Sequence, residues 1–242
     1  MLKRKSFFVS ATAFFVVAET FLGIMIHTSV NRLINLFQFS SIILAALFLL
    51  IFSERTASFF LTQSALIFTV FADYFLVWSM PQLKLNGMIF FLFAQMFYAT
   101  RLYTSTESKV SRRLQHALRG SLTVAILIIT MQVLGDNTDA LSLVSMAYYV
   151  NIFLNLIFSF IEFKKHYLLA IGFTFFILCD TIIGLTALKQ YLPFGAYEFI
   201  YPIIYPGFDL SWVFYLPSQM LIAISLLPHK LKSLKSDSCA DA

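Results

Sequence analysis

The sequence of 242 residues has little charge, since only 12% of its residues are Asp, Glu, Lys or Arg. That share is about half of the roughly 25% found in ordinary soluble domains. In contrast, 60% of the residues are apolar, and phenylalanine alone supplies 29. A soluble domain of this length needs more charged surface to cover its core, so the composition excludes a water-soluble enzyme and a disordered chain. We therefore expect a polytopic membrane protein.

Cysteine is also scarce, with Cys179 in an apolar run and Cys239 in a polar tail. Two such cysteines form no disulfide framework and do not indicate an oxidising compartment. The net charge of +5 is not concentrated in a basic stretch interleaved with aromatic residues, so we expect no nucleic-acid partner.

Familiar catalytic motifs are missing as well. The sequence has no glycine-rich phosphate loop and no G-x-S-x-G nucleophile motif. Its four histidines fall at or beyond the ends of the apolar runs, so no three of them form an evident intramembrane zinc site. We therefore expect neither a metal nor another cofactor.

Eight apolar runs are each long enough to be a membrane helix, which needs roughly 20 residues. The predicted fold class is therefore all-α, a single transmembrane domain of eight helices over residues 1–242, with a polar cytoplasmic tail at 229–242. The predicted helices cover residues 7–27, 33–52, 59–78, 85–103, 118–134, 141–162, 167–188 and 210–228.

The distribution of basic residues predicts the orientation. If both termini are cytoplasmic, 14 of the 17 Lys and Arg residues lie inside, as the positive-inside rule requires. This count places Arg101 and Arg119 at the cytoplasmic side, and leaves Arg32, Lys84 and Lys189 outside. The chain is rich in Phe and Ile and has short loops, so we expect a bacterial plasma membrane.

Acidic residues inside the apolar runs are costly in a bilayer and are therefore candidate functional residues. Glu19 lies in helix 1, Asp73 in helix 3 and Asp180 in helix 7. Asp73 and Asp180 both fall about 20 Å above the inner edge at 1.5 Å rise per residue. Their equal depth predicts that the two carboxyls share one site. The alternative is that each is paired separately with a Ser, a Thr or the backbone.

Six further polar residues fall near the same level, in pairs spaced three or four positions apart on one helix face. Together with Glu19 we interpret them as substrate-binding or orienting groups, although amides in membrane helices also commonly link neighbouring helices. The pairs are Gln95 with Tyr98, Asn151 with Asn155, and Tyr215 with Gln219. The similarity of FLFAQMFYA to YLPSQMLIA suggests a parallel repeat of two four-helix halves.

Four segments together resemble a known family. FADYFL, NGMIFFLFAQMFY, GFTFFILCD and FYLPSQMLIAIS are similar to the marker segments of the YhhN-like membrane proteins, which include the lysoplasmalogenases. The resemblance runs from about residue 65 to 226, in the same order and with the same eight-helix plan.

The resemblance implies an integral membrane hydrolase without a cofactor. Its substrate would be a lysophospholipid taken from the bilayer, a lysoplasmalogen, whose vinyl-ether bond is cleaved to give a fatty aldehyde and glycerophosphocholine or glycerophosphoethanolamine. The two marker aspartates of the family correspond to Asp73 and Asp180, which become the expected catalytic residues. The helix 8 amide corresponds to Gln219 and the aromatic residue before it to Tyr215.

Three positions depart from the family pattern. Ala72 stands where the family usually has Gly, Cys179 where it has Ser, and Gln95 where it has His. Glutamine donates and accepts hydrogen bonds but carries no proton near neutral pH. The residues therefore leave open a non-catalytic member of the family, and also a small transporter or lipid-binding protein. They predict no oligomeric state.

Overall fold

The computed structural model describes residues 2–28, 32–78, 81–188 and 209–227, and this part of the chain is helical with no strand. The prediction of an all-α membrane protein is thus confirmed for these residues. The predicted aromatic loop at residues 189–208 and the predicted tail at 229–242 lie outside them. The helices are α1 (Leu2–Thr28), α2 (Arg32–Phe52), α3 (Ala57–Asp73), α4 (Lys84–Ser105), α5 (Lys109–Leu134), α6 (Ala140–Ile161), α7 (Phe163–Leu188) and α8 (Leu210–Ile224).

Six of these helices are long and apolar enough to cross a membrane, α3 together with the five residues Tyr74–Trp78 that follow it. The two that fall short are α4, whose buried positions include Gln95 and Arg101, and α8, which has only 15 described residues. A multi-pass membrane protein is therefore shown, while eight crossings and cytoplasmic termini stay predictions. Large apolar side chains such as Phe14 (74% exposed) and Ile161 (67% exposed) face outward, as lipid contact requires.

The polar ends of two helices lie beyond the apolar runs that predicted them. Helix α5 begins at Lys109, where Ser108 accepts a hydrogen bond from the Ser111 amide as an N-cap. Its first residues are polar, and the apolar run that predicted this helix therefore starts only at residue 118. Helix α7 bends at His166 (φ −125°, ψ 27°), next to the predicted start at residue 167.

The core forms around pairs of adjacent helices. Helix α3 packs along α4, α7 packs along α8, and α4 also contacts α6. Helix α4 lies close to the end of α3 at Gly87, where an added Cβ would lie 3.1 Å from the Ala72 carbonyl oxygen and 2.7 Å from Cγ of Leu76, just beyond α3. A glycine is therefore required beside the last turn of α3.

That last turn ends at Asp73, and the chain continues as a π-helix over Tyr74–Trp78. Asn35 of α2 donates to the Val77 carbonyl across 3.1 Å and so holds the π-helical segment against the bundle. Short π-helical segments commonly occur at functional sites, because they redirect the side chains beside them.

Candidate active site

Asp73 is buried, with 4% of its surface exposed, and is reached by a side chain from the far end of the sequence. The hydroxyl of Tyr215, on α8, donates to Asp73 Oδ2 across 2.6 Å. Tyr215 is itself buried and stacks edge-to-face on Trp212 at 5.0 Å. The carboxyl at the end of α3 is therefore fixed by a rigid phenol held in an aromatic setting.

Asp180 is held in a similar way by a different helix. It lies on α7, is partly exposed, and accepts a hydrogen bond at Oδ2 from the hydroxyl of Tyr148 on α6. The residues that follow Tyr148 and Asp180 in the chain also contact each other, since the Tyr149 hydroxyl lies 2.7 Å from Thr181 Oγ1. Two consecutive tyrosines of α6 thus fix the position of α7 at the carboxyl.

The structure brings the two carboxyls together. Asp73 lies near enough to Asp180 for direct electrostatic interaction, and it also interacts with Tyr148, the tyrosine that binds Asp180. Phe91 fills the space between the tyrosines, with its ring 5.6 Å from Tyr148 and 6.5 Å from Tyr215. Two acids from two helices are therefore surrounded by the aromatic rings of Phe91, Tyr148 and Tyr215.

Gln95, which replaces the usual His of the family, is completely buried on α4 and belongs to a hydrogen-bonded chain. Asn155 Nδ2 donates to Gln95 Oε1 across 2.9 Å and to its carbonyl oxygen across 3.0 Å. Arg119 in turn donates to Asn155 Oδ1 at 2.6 Å and to Asn151 Oδ1 at 3.1 Å. The two asparagines therefore link α5, α6 and α4, as amides commonly do between membrane helices.

The remaining predicted residues are spread over the bundle. Gln219 is buried one turn beyond Tyr215 on α8, and Tyr98 packs its ring 5.3 Å from Phe173 of α7. Glu19 is buried on α1 and accepts a hydrogen bond from Ser41 of α2 at 2.6 Å. Glu19 is not among the groups that interact with the two aspartates.

Two arginines that the charge count assigns to the cytoplasmic side make hydrogen bonds inside the bundle. Arg101 is only 1% exposed, and its Nη1 donates to Thr62 at 3.0 Å and to Ser225 at 2.9 Å. Arg119 also turns into the bundle, as the amide contacts show. Hydroxyls and amides of neighbouring helices hydrogen-bond their guanidinium groups inside the protein, and their position on the cytoplasmic side stays a prediction.

The sequence interpretation also missed Tyr148, because tyrosine is an ordinary residue in membrane helices. A signal was present, since Tyr148, Asn151 and Asn155 share the spacing of one helix face. No group of three or more His, Cys, Asp or Glu that could hold a metal ion occurs in the part of the chain that the structure describes.

The apolar helices with a buried polar site define a multi-pass integral membrane protein. The chain belongs to the YhhN family, whose family model matches residues 33–226. The resemblance seen in the marker segments is thereby confirmed at the level of the family. We found no match to the chain among the curated proteins or among the solved structures. The matched range includes both aspartates and excludes Glu19.

Proposed function

We propose that this protein is a lysoplasmalogenase that hydrolyses the vinyl-ether bond of a lysoplasmalogen within the membrane. The observation that carries the proposal is that Asp73 and Asp180, each bound by a tyrosine, lie around the same Phe91 ring inside an apolar bundle. Membership of the YhhN family is compatible with a hydrolase. The aromatic rings around the acids suit a single hydrocarbon chain that enters from the bilayer. We propose that this bilayer is a bacterial plasma membrane.

The proposed reaction needs one acid and one base. One aspartic acid donates a proton to the alkene carbon that is not bonded to the ether oxygen, which leaves an oxocarbenium ion at the carbon that is. The other carboxylate stabilises this cation and accepts a proton from the water that adds to it. The resulting hemiacetal loses its carbon–oxygen bond to give an aldehyde and the glycerol hydroxyl. Glycoside hydrolysis uses two carboxyls in a comparable way.

The tyrosines position the two acids for these steps. Tyr215 and Tyr148 each occupy one oxygen of a carboxyl, so the other oxygen of each is available to substrate or water. Holding reactive groups in a fixed geometry lowers the entropic part of a reaction barrier.

The experiment is to mix purified protein with a lysoplasmalogen and to measure the fatty aldehyde. Time-dependent aldehyde release that scales with protein concentration supports the proposal, and its absence contradicts it. The saturated-ether analogue serves as the control, since it has no alkene to protonate and releases no aldehyde by this route.

A second candidate is a family member that binds a lysolipid without hydrolysing it, or moves it across the membrane. Gln95 favours this candidate, because its amide carries no titratable proton where the family usually has His. Gain of aldehyde release in Gln95→His, with none in the wild type, would support it. Lipid flux into vesicles without chemical change would indicate transport.

A further inference from the structure

Helices α4 and α8 run in the same direction and in register, because side-chain contacts join them at two levels. At one end, the Phe91 ring lies 6.5 Å from the Tyr215 ring. At the other end, Arg101 donates to Ser225, a residue 124 positions later, and Phe91 and Tyr215 are the same number of positions apart. Because both contacts join residues 124 positions apart, any residue of α4 lies at the same level as the residue of α8 that follows it by 124 positions.

Gln95 and Gln219 have this same spacing and lie between the two contacts. Each is four residues beyond a member of the Phe91–Tyr215 pair and therefore projects from the same face of its helix. Both are buried, with 0% and 1% of their surfaces exposed. At a rise of 1.5 Å per residue, they lie about 6 Å along the axis from the tyrosine that binds Asp73.

The direction of the Gln95 amide follows from Arg119, which can only donate. Asn155 must therefore turn its Oδ1 to Arg119 and its Nδ2 to Gln95. Gln95 then accepts through Oε1, and its Nε2 has no hydrogen-bond partner among the described residues. The orientation of this buried amide is thus fixed by a cation two helices away.

Gln219 supplies the complementary group. Its Oε1 has no partner among the residues the structure describes, and its Nε2 makes only a 3.4 Å contact with Ser218 Oγ. An unpaired donor and an unpaired acceptor, both buried at one level, match a group that accepts one hydrogen bond and donates another. A hydroxyl does both. A carboxylate or phosphate has no hydrogen to donate to the Gln219 oxygen, and an ammonium has no lone pair to accept from the Gln95 NH₂.

We propose that Gln95 and Gln219 bind the free hydroxyl on the middle glycerol carbon of the lysolipid, and that this contact selects lysolipids over two-chain lipids. The identity of the ligand rests on the proposed function. In the substrate, only a few covalent bonds separate this hydroxyl from the vinyl ether, in keeping with an amide pair one helical turn from the tyrosine that binds Asp73. In a two-chain lipid the same oxygen is esterified and has no hydrogen to donate to Gln219.

The test measures binding apart from chemistry. The full chain in detergent micelles is titrated with a saturated-ether lysophospholipid, which has no alkene, and with the same lipid lacking the middle hydroxyl. The wild type is expected to bind the hydroxyl-bearing lipid at least about tenfold more tightly, because the second lipid leaves both buried amide groups unpaired. Equal affinity for the two lipids overturns the inference.

Variants locate the preference. Gln95→Leu and Gln219→Leu are each expected to bind the two lipids about equally. Gln95→His is expected to keep the preference, because one ring nitrogen accepts from Asn155 while the other donates. Gln115→Leu is the matched control, a buried amide on α5 that donates to Thr106. Retained preference in both Leu variants contradicts the assignment.

The assay separates this inference from the proposed hydrolysis. A hydroxyl preference without aldehyde release supports the amide site and contradicts hydrolysis. Equal aldehyde release from a lysoplasmalogen and from its analogue without the middle hydroxyl overturns the amide site and leaves hydrolysis standing. If one Leu variant does not fold, the other variant and the wild-type affinity ratio decide the question.

Discussion

Tyr215 donates to Asp73 across 2.6 Å, although 142 positions separate the two residues in the chain. The contact joins the end of α3 to the middle of α8, and α8 packs along the helix that carries Asp180. Asp73 therefore reaches its position beside Asp180 only when both ends of the chain are folded together.

The first prediction concerns the acids. Asp73→Asn and Asp180→Asn keep the size of each side chain but remove its acid–base function. Each is expected to lower the rate of aldehyde release by about 10²- to 10⁴-fold, the usual range for a general acid or base. The control is Asp136→Asn, an exposed residue in the turn after α5. Either aspartate variant folding normally with full activity would contradict the proposed mechanism.

The second prediction concerns the tyrosines that hold the acids. Tyr148→Phe and Tyr215→Phe each remove one hydrogen bond to a carboxyl and are expected to lower kcat about tenfold. Tyr149→Phe is a closely matched control, since its hydroxyl contacts Thr181 rather than an acid. If the Tyr149 variant loses as much activity as the Tyr148 variant, the hydroxyl at Asp180 has no special role.

The third prediction concerns the cation that orients the amides. Arg119→Leu leaves the Oδ1 atoms of Asn151 and Asn155 without their donor, at a cost of about 1–3 kcal/mol for each buried acceptor. We expect a clearly lower melting temperature in detergent. Arg113→Gln, on an exposed position of the same helix, should melt like the wild type. Equal melting temperatures for the two variants would show that the amide chain contributes no stability.

The fourth prediction concerns the contact of α3 with α4. Gly87→Ala places a methyl group against Leu76 and the Ala72 carbonyl, so the two helices must separate beside Asp73. We expect lower stability and lower activity together. Gly120→Ala is the control, because its Cβ would meet nothing within 4 Å. That change should be neutral or stabilising by up to about 1 kcal/mol, since alanine favours a helix.

The fifth prediction tests the orientation. In a Cys239→Ser background, single cysteines replace the exposed Glu107 and Asp136. An impermeant thiol reagent added outside intact cells should label Asp136→Cys and should label Glu107→Cys only after the cells are opened. The reverse pattern would invert the predicted topology.

Asp73 and Asp180 were visible in the sequence because a carboxyl is conspicuous in an apolar run, and their equal depth follows from helix geometry. The tyrosine partners were less visible. Tyr215 emerged through its spacing from Gln219 and through the family resemblance, whereas Tyr148 was missed, because a phenol suits many positions in a membrane helix.

Arg119 shows a different limit. It begins the apolar part of α5, so its position in the sequence resembles that of a loop charge. Its burial depends on two asparagines more than thirty positions later, and such a pairing exists only in the packed bundle.

Helix α4 is long enough to span a bilayer but not apolar enough to count among the spanning helices, and it carries both Gln95 and Arg101. A segment of this composition enters the bilayer poorly by itself, and α4 follows the apolar α3, along which it packs. Insertion of α3 and α4 together, as a helical hairpin, would keep both polar side chains away from lipid. Assembly of the polar interior would then begin during biogenesis, before the bundle is complete.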